Sequence, residues 1–179
     1  MAAGATMHTF DVTLADVDRG VYESFALRLA RHPSETDAFM LTRLLAYCLE
    51  YEEGIDVTEG IAAKDEPAVL VRDLTGAILA WIEVGAPDAA RLHLGSKQSA
   101  RVAVYTHRNP GPVAAAWSGK KIHRASEIPL HGFEPGFIDD LTGALGRRNT
   151  VTVSITERRL YVELNGTTAA SDVTSQMAG

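Results

Sequence analysis

The stretch Asp65-Glu66-Pro67-Ala68-Val69-Leu70-Val71-Arg72-Asp73-Leu74-Thr75-Gly76-Ala77-Ile78-Leu79-Ala80-Trp81-Ile82-Glu83-Val84-Gly85 decides the fold. Two apolar runs flank Asp73-Leu74-Thr75-Gly76. Asp first and Gly last suits a type I turn with a glycine bulge. A loop of Leu74, Thr75 and Gly76 pairs Asp73 with Ala77. Counting outward puts Val71 opposite Leu79, Val69 opposite Trp81 and Pro67 opposite Glu83. Strand side chains alternate faces, so Asp65, Pro67, Glu83 and Gly85 share one face. Asp65 and Glu83 are then diagonal neighbours, about 5–8 Å apart. A one-residue slip sets Glu66 opposite Glu83 instead.

The second strand, Ala77 to Val84, is apolar on both faces until Glu83, the pattern of a central strand covered on both sides. A carboxylate there is costly unless it is paired, protonated or bound to a metal. Carboxylates converging at the end of a buried hairpin make a hard-cation site of the Mg²⁺ kind. The plainer reading is that strand ends open into solvent and carry ordinary acidic residues.

With 179 residues the chain has length for one domain with a substantial core. Its longest apolar runs fall far short of a membrane span. The start, Met1 to Met7, lacks the basic and apolar regions of a signal peptide. The single cysteine, Cys48, sits in a helical apolar pattern, which argues against a disulfide framework or a zinc site. These features point to a cytoplasmic protein with no membrane partner. The formal net charge of −6 disfavours non-specific nucleic-acid binding but leaves room for a local basic groove.

In chain order, Met7–Leu14 and Val21–Ala30 read as a hairpin around Ala15–Gly20. A helix over Val21–Ala30 is the rival, because Tyr22, Phe25, Ala26 and Leu29 also fit a helical stripe. Ser34 is the expected N-cap of a helix running to about Glu53 and closed by Gly54, with Asp37 at the capping-box position. Glu35 is either a first-turn acid complementing the helix dipole or an active-site residue. Ile55 to Ala62 reads as a short extended stretch. After the acidic hairpin, a second helix opens at Pro87-Asp88, runs to about Ala100 and carries Arg91, His93 and Lys97. Arg101–His107 is a strand, which makes Ala77–His107 a βαβ crossover with parallel strands.

Val113–Ser118 and Gly136–Leu145 are short helices. Lys120-Lys121-Ile122-His123-Arg124 is a basic cluster, either a solvated face or a nucleic-acid contact through Lys120, Lys121 and Arg124. Thr150–Thr156 and Leu160–Leu164 form a hairpin about Glu157-Arg158-Arg159 that joins the N-terminal hairpin in a side sheet. The expected whole is α/β: a mixed sheet with flanking helices, plus that extra hairpin sheet. Residues 1–165 form a single domain, and the small, polar residues 166–179 a disordered tail.

Phosphate loops, dinucleotide fingerprints, the Gly-x-Ser-x-Gly elbow and paired-histidine zinc motifs are absent, and the six histidines are scattered. A nucleotide cofactor is therefore not expected.

Arg31-His32-Pro33-Ser34-Glu35-Thr36, Asp65-Glu66-Pro67 and Trp81-Ile82-Glu83-Val84-Gly85-x-Pro87-Asp88-x-x-Arg91 resemble the YaeQ family of small bacterial proteins over nearly the whole chain to about Leu164. The resemblance implies a variant of the PD-(D/E)xK restriction-endonuclease-like core, built as helix, hairpin, helix and strand. In that superfamily two hairpin acids bind Mg²⁺, a lysine two residues after the second acid helps activate water, and a helix acid often assists. By that resemblance the first acid is Asp65, with Glu66 as substitute, and the second is Glu83. The helix acid is Glu35 or Glu50. Gly85 stands where the lysine belongs, so its charge falls to Arg91 or Lys97 on the next helix. Arginine stabilises phosphoryl charge but stays protonated, whereas lysine can do either.

Two functions follow from the resemblance and the residues. One is a Mg²⁺-dependent nuclease with an atypical site, with Asp65, Glu83, Lys97 and Arg91 catalytic and Asp65, Glu66, Glu83 and Glu35 around the metal. The other is a catalytically inactive nuclease-fold protein that binds or regulates a partner. Gly85 and the acidic charge favour the second.

Overall fold

The computed structural model describes residues 4–58 and 65–179. In chain order they form β1 (Thr6–Asp16), β2 (Val21–Arg31), α1 (Asp37–Leu49), β3 (Ile55–Val57), β4 (Val69–Arg72), β5 (Ile78–Val84), α2 (Ala89–Gln98), β6 (Arg101–Tyr105), α3 (Pro110–Ala115), β7 (Pro129–Phe133), α4 (Phe137–Thr142), β8 (Arg148–Thr156), β9 (Arg159–Leu164) and β10 (Thr167–Met177). A short 3-10 turn spans Ala125–Glu127. The fold is mixed α/β. The chain divides into two compact units, residues 4–41 with Phe133–Val173, and Thr42–Gly132 with Thr174–Gly179. No helix among the described residues is long and apolar enough to cross a membrane.

In the first unit the strand order is β2-β1-β8-β9-β10. β1 and β2 form the expected antiparallel hairpin, and the helical rival for Val21–Ala30 is set aside. Alternation decides it: Phe10, Val12 and Leu14 are buried on β1, and Leu27 and Leu29 on β2. β8 runs parallel to β1 and pairs with β9 through a tight turn at Glu157-Arg158. Both turn residues have positive φ, 52° and 62°. The Asp18 carboxylate accepts their backbone N–H groups at 2.7 and 2.9 Å, which helps hold that conformation.

Residues 166–179 are not a disordered tail. Thr167–Met177 is β10, antiparallel to β9. Asn165-Gly166 lies between the two strands with φ of 50° and 90°, the signature of a tight hairpin. Its small residues conceal a strand that Ser171 and Val173 bury.

The second unit holds the order β7-β6-β5-β4-β3. β3, β4 and β5 pair antiparallel, and β5, β6 and β7 run parallel. β5-α2-β6 is the expected crossover. Residues 59–62 of the expected extended stretch lie outside the described residues. α1 starts later than expected: Thr36, not Ser34, caps it, its Oγ1 accepting the Phe39 N–H at 3.0 Å. Ser34 instead contacts His32 Nδ1 through its own hydroxyl, at 2.6 Å. The helix ends at Leu49 rather than Glu53. α3 starts before the expected Val113, because Asn109 Oδ1 accepts the Gly111 N–H and Pro110 suits the first helical position.

The tip of the acidic hairpin matches its sequence. Asp73 N–H donates to the Ala77 carbonyl at 2.9 Å, and Asp73 Oδ1 accepts from Thr75 Oγ1 and from the Thr75 and Ala77 N–H groups. The Thr75 hydroxyl, with those N–H groups, holds the Asp73 carboxyl below its usual range. Beyond the tip the register departs from expectation. Val71 pairs with Ala80 and Arg72 with Ile78, so Leu79 is a bulge. Val69 then faces Ile82, and Leu70 faces Trp81. Extending that register by one residue sets Ala68, rather than Pro67 or Glu66, opposite Glu83.

Trp81 anchors the core of this unit with Leu92, Val102, Val104, Val113, Trp117, Ile128 and Leu130. Gly95 of α2 lies flat on its indole: a Cβ there would stand 2.6 Å from Trp81 Cδ1. Helix propensity favours Gly95→Ala by about 1 kcal/mol. The indole has nowhere to move, and overpacking costs about 1–3 kcal/mol. Gly95→Ala is therefore expected to lower the urea midpoint despite its better propensity.

Candidate functional site

The site grows from the carboxyl end of β5. Glu83 is 4% exposed, placed there by a strand paired on both sides. Its Oε1 accepts from Trp81 Nε1 at 3.1 Å, because residues two apart share a face. The next helix supplies the counter-charge. Asp88 caps α2 by accepting the Arg91 N–H at 2.9 Å, which fixes Arg91 in the first turn. From there Arg91 Nε donates to Glu83 Oε2 at 2.8 Å and Nη2 to Oε1 at 2.9 Å. Nη2 also donates to the Glu66 carbonyl at 2.7 Å, which ties the hairpin's other strand to the pair. A hydrogen bond to Glu83 raises the Arg91 pKa against the opposing effect of burial, and the charges of Glu83, Asp88 and Asp65 add to it.

α1 steadies the start of β4. Arg43 is fully buried, and its Nε donates to the Ala68 carbonyl at 3.2 Å and Nη2 to the Thr58 carbonyl.

Several residues singled out in the sequence converge here. Glu83 and Arg91 are in contact, Asp65 acts on Arg91 through its charge, and Glu66 contributes its carbonyl while its side chain is exposed. Glu35 and Glu50 have partners of their own. Glu35, in the first unit, is buried, and its Oε1 accepts the His32 N–H at 3.4 Å. Glu50 accepts from Arg101 Nη1 at 2.6 Å and from the Tyr105 hydroxyl. Lys97 lies six positions beyond Arg91 on α2, about 9 Å along the axis and about 240° around it.

The basic cluster separates into different roles. Arg124 closes the carboxyl end of α2, its Nη1 donating to Ala100 O at 2.9 Å and its Nη2 to Ser96 O and Ser99 O at 2.5 and 2.8 Å. Lys121 joins Lys97 and His123 about His93. Burial, then Lys97, Lys121 and His123, lower the His93 pKa. His93 Nδ1 accepts the His123 N–H at 3.0 Å, and the two rings meet edge to face. Lys120 is exposed beside a separate groove.

A guanidinium occupies the acid that the resemblance assigns to Mg²⁺. Both Glu83 oxygens are hydrogen-bonded, and among the described residues no group of three or more His, Cys, Asp or Glu side chains stands ready to hold a metal. Gly85, at the lysine position, has φ +89°, a conformation in which a lysine is strained.

The family profile of the YaeQ protein matches residues 1–173. The chain belongs to the YaeQ family. It is 40% identical over 109 residues to YaeQ of Escherichia coli (strain K12) and 39% identical over 109 residues to YaeQ of Salmonella typhi. Each match covers 61% of this chain and 60% of the relative, so the chain spans less than two thirds of the curated relatives it matches. The crystal structure of YaeQ from Pseudomonas syringae is similar with TM-score 0.87 and 30% identity, over 99% of this chain and 100% of that one. YaeQ from Xanthomonas axonopodis pv. citri has TM-score 0.87 and 25% identity, over 98% and 99%. Those names carry a family and no activity.

Sequence reading placed Arg91 near phosphate and missed its role as partner of Glu83. The signal was present: Asp88-x-x-Arg91 sets an arginine in the first turn of a helix that starts directly after the strand bearing Glu83.

Proposed function

We propose that this YaeQ protein is a nuclease-fold variant that binds a phosphate-bearing partner, nucleic acid by preference, and does not hydrolyse it. The observation carrying the reading is the Arg91 guanidinium, which takes both oxygens of the buried acid that a PD-(D/E)xK enzyme would give to its metal. Gly85 adds that the usual lysine is missing and that its backbone suits glycine. Helix, hairpin, helix and strand follow in the order such a core requires. The surface of Lys97 and Lys121, with His93 and His123 beside them, is the face for the partner.

The test is direct. Wild type and Glu83→Ala are incubated with Mg²⁺ or Mn²⁺ and single- and double-stranded DNA and RNA. No cleavage above the mutant level is expected, and cleavage lost in Glu83→Ala overturns the reading. Fluorescence anisotropy on a labelled duplex reads binding. Contact with about two phosphates gives a log K slope of about −1.8, roughly twelvefold weaker binding from about 50 to about 200 mM salt. Lys97→Glu/Lys121→Glu should abolish binding. Because His93 is held below its usual pKa it is neutral at pH 7, so affinity rises as pH falls and it gains a proton. Absent or salt-independent binding contradicts the assigned face.

Hydrolysis stands as a second reading on one observation: Glu83, Asp88 and Asp65 all act on a single cation. A divalent ion replacing that guanidinium would meet the same charges and lower the pKa of a bound water.

A further inference from the structure

A groove of about 830 Å³ opens beside α2 and α3, apart from the acid site. It lies where the chain leaves β5 and β6, two parallel neighbours, and ligands of open α/β sheets collect outside such carboxyl ends. Its volume is that of a small-molecule site. Small residues line much of it: Ala90 of α2 together with Pro112 and Ala116, and the buried Trp117. The Trp117 indole N–H is already satisfied by the Pro87 carbonyl at 2.8 Å, and the ring is 3% exposed. That leaves an apolar lining with no aromatic face on which a nucleic-acid base could stack.

Two cations stand on this apolar groove. Arg108 and Lys120 both line it and both are exposed. Among the described residues neither side chain makes an ion pair or a side-chain hydrogen bond, whereas Arg19, Arg31, Arg91, Arg101 and Arg159 all pair with carboxylates. Among the described residues lining the groove, the one carboxylate, Asp88, is committed to the α2 cap and to Arg91. Charge and lining together select a ligand with a compact apolar body and one anionic group.

We infer that the groove between α2 and α3 is a binding site for a small amphipathic organic anion, its apolar body between Ala90, Pro112 and Ala116 and its carboxylate or phosphate between Arg108 and Lys120. The site is independent of the nucleic-acid reading, which uses Lys97 and Lys121.

The probe is 8-anilinonaphthalene-1-sulfonate, added to the full chain and followed by fluorescence, with far-UV circular dichroism confirming that each variant is folded. One saturable site is expected. Arg108→Gln/Lys120→Gln and the groove-filling Ala90→Trp should each weaken it at least tenfold. Naphthoate and naphthyl phosphate should displace the probe while neutral naphthalenemethanol does not, and the better displacer identifies carboxylate or phosphate as the natural group. Binding that is unchanged in both folded variants overturns the inference. So does equal displacement by the neutral compound, or no saturable binding of any of the three anions at millimolar concentration.

Discussion

Arg91→Ala is expected to destabilise the protein by about 3 kcal/mol, the scale for removing one partner of a buried ion pair. Glu83 is 4% exposed and would be left buried with only the Trp81 indole as donor. A surface pair would matter little, about 0–1 kcal/mol. The difference lies in Glu83, whose side chain is 5% exposed against 30% for Arg91. Urea unfolding checks this: the midpoint should fall with the slope unchanged. Glu83→Met/Arg91→Met should recover most of the loss, because apolar replacement of a buried pair is often neutral. A loss below about 0.5 kcal/mol for Arg91→Ala would mean that Glu83 has another partner, and that the guanidinium does not close the site.

Trp81→Ala should cost still more, about 4 kcal/mol, the range for emptying a buried aromatic position. Trp81 is fully buried, touches Gly95 and donates to Glu83. Trp81→Phe separates the contributions. It keeps most of the ring and loses the donor, and Glu83 Oε1 still holds Arg91 Nη2, so about 1–2 kcal/mol is expected. Equal losses in the two variants would place the stabilisation in the hydrogen bond rather than in packing.

The fold was legible wherever pattern and chemistry agreed. The Asp73–Gly76 turn, the β5-α2-β6 crossover and the β8–β9 hairpin follow from turn residues and periodicity. The register of β4 on β5 was not legible. β5 is apolar on both faces, so the extra residue at Leu79 leaves no mark on the pattern. β10 was missed for the opposite reason. Its residues are small and polar, and the decisive signal was the Asn165-Gly166 dipeptide rather than hydropathy. Thr36 and Ser34 are equally able caps, and the choice fell to the one three residues before an N–H in need of a partner.

The candidate site was legible in its members and not in their pairing. Glu83 and Arg91 stand out by type and place. Whether the acid holds a metal or a guanidinium depends on where the first turn of α2 lies over the strand end, which is set by packing of Leu92 and Gly95 against Trp81. The groove left no trace in the sequence, because alanine and proline walls carry no chemistry of their own. Its cations, Arg108 and Lys120, are twelve positions apart in the chain and come to line one groove only in the fold.

The most direct test is calorimetric titration of Mn²⁺ into the protein with a phosphorothioate oligonucleotide present, so that substrate oxygens can complete any metal site. With Arg91 on both oxygens of Glu83, wild type and Glu83→Ala should give the same heats at millimolar metal. Saturable binding in wild type that disappears in Glu83→Ala would contradict the closed site and make the protein a metal-dependent enzyme in waiting.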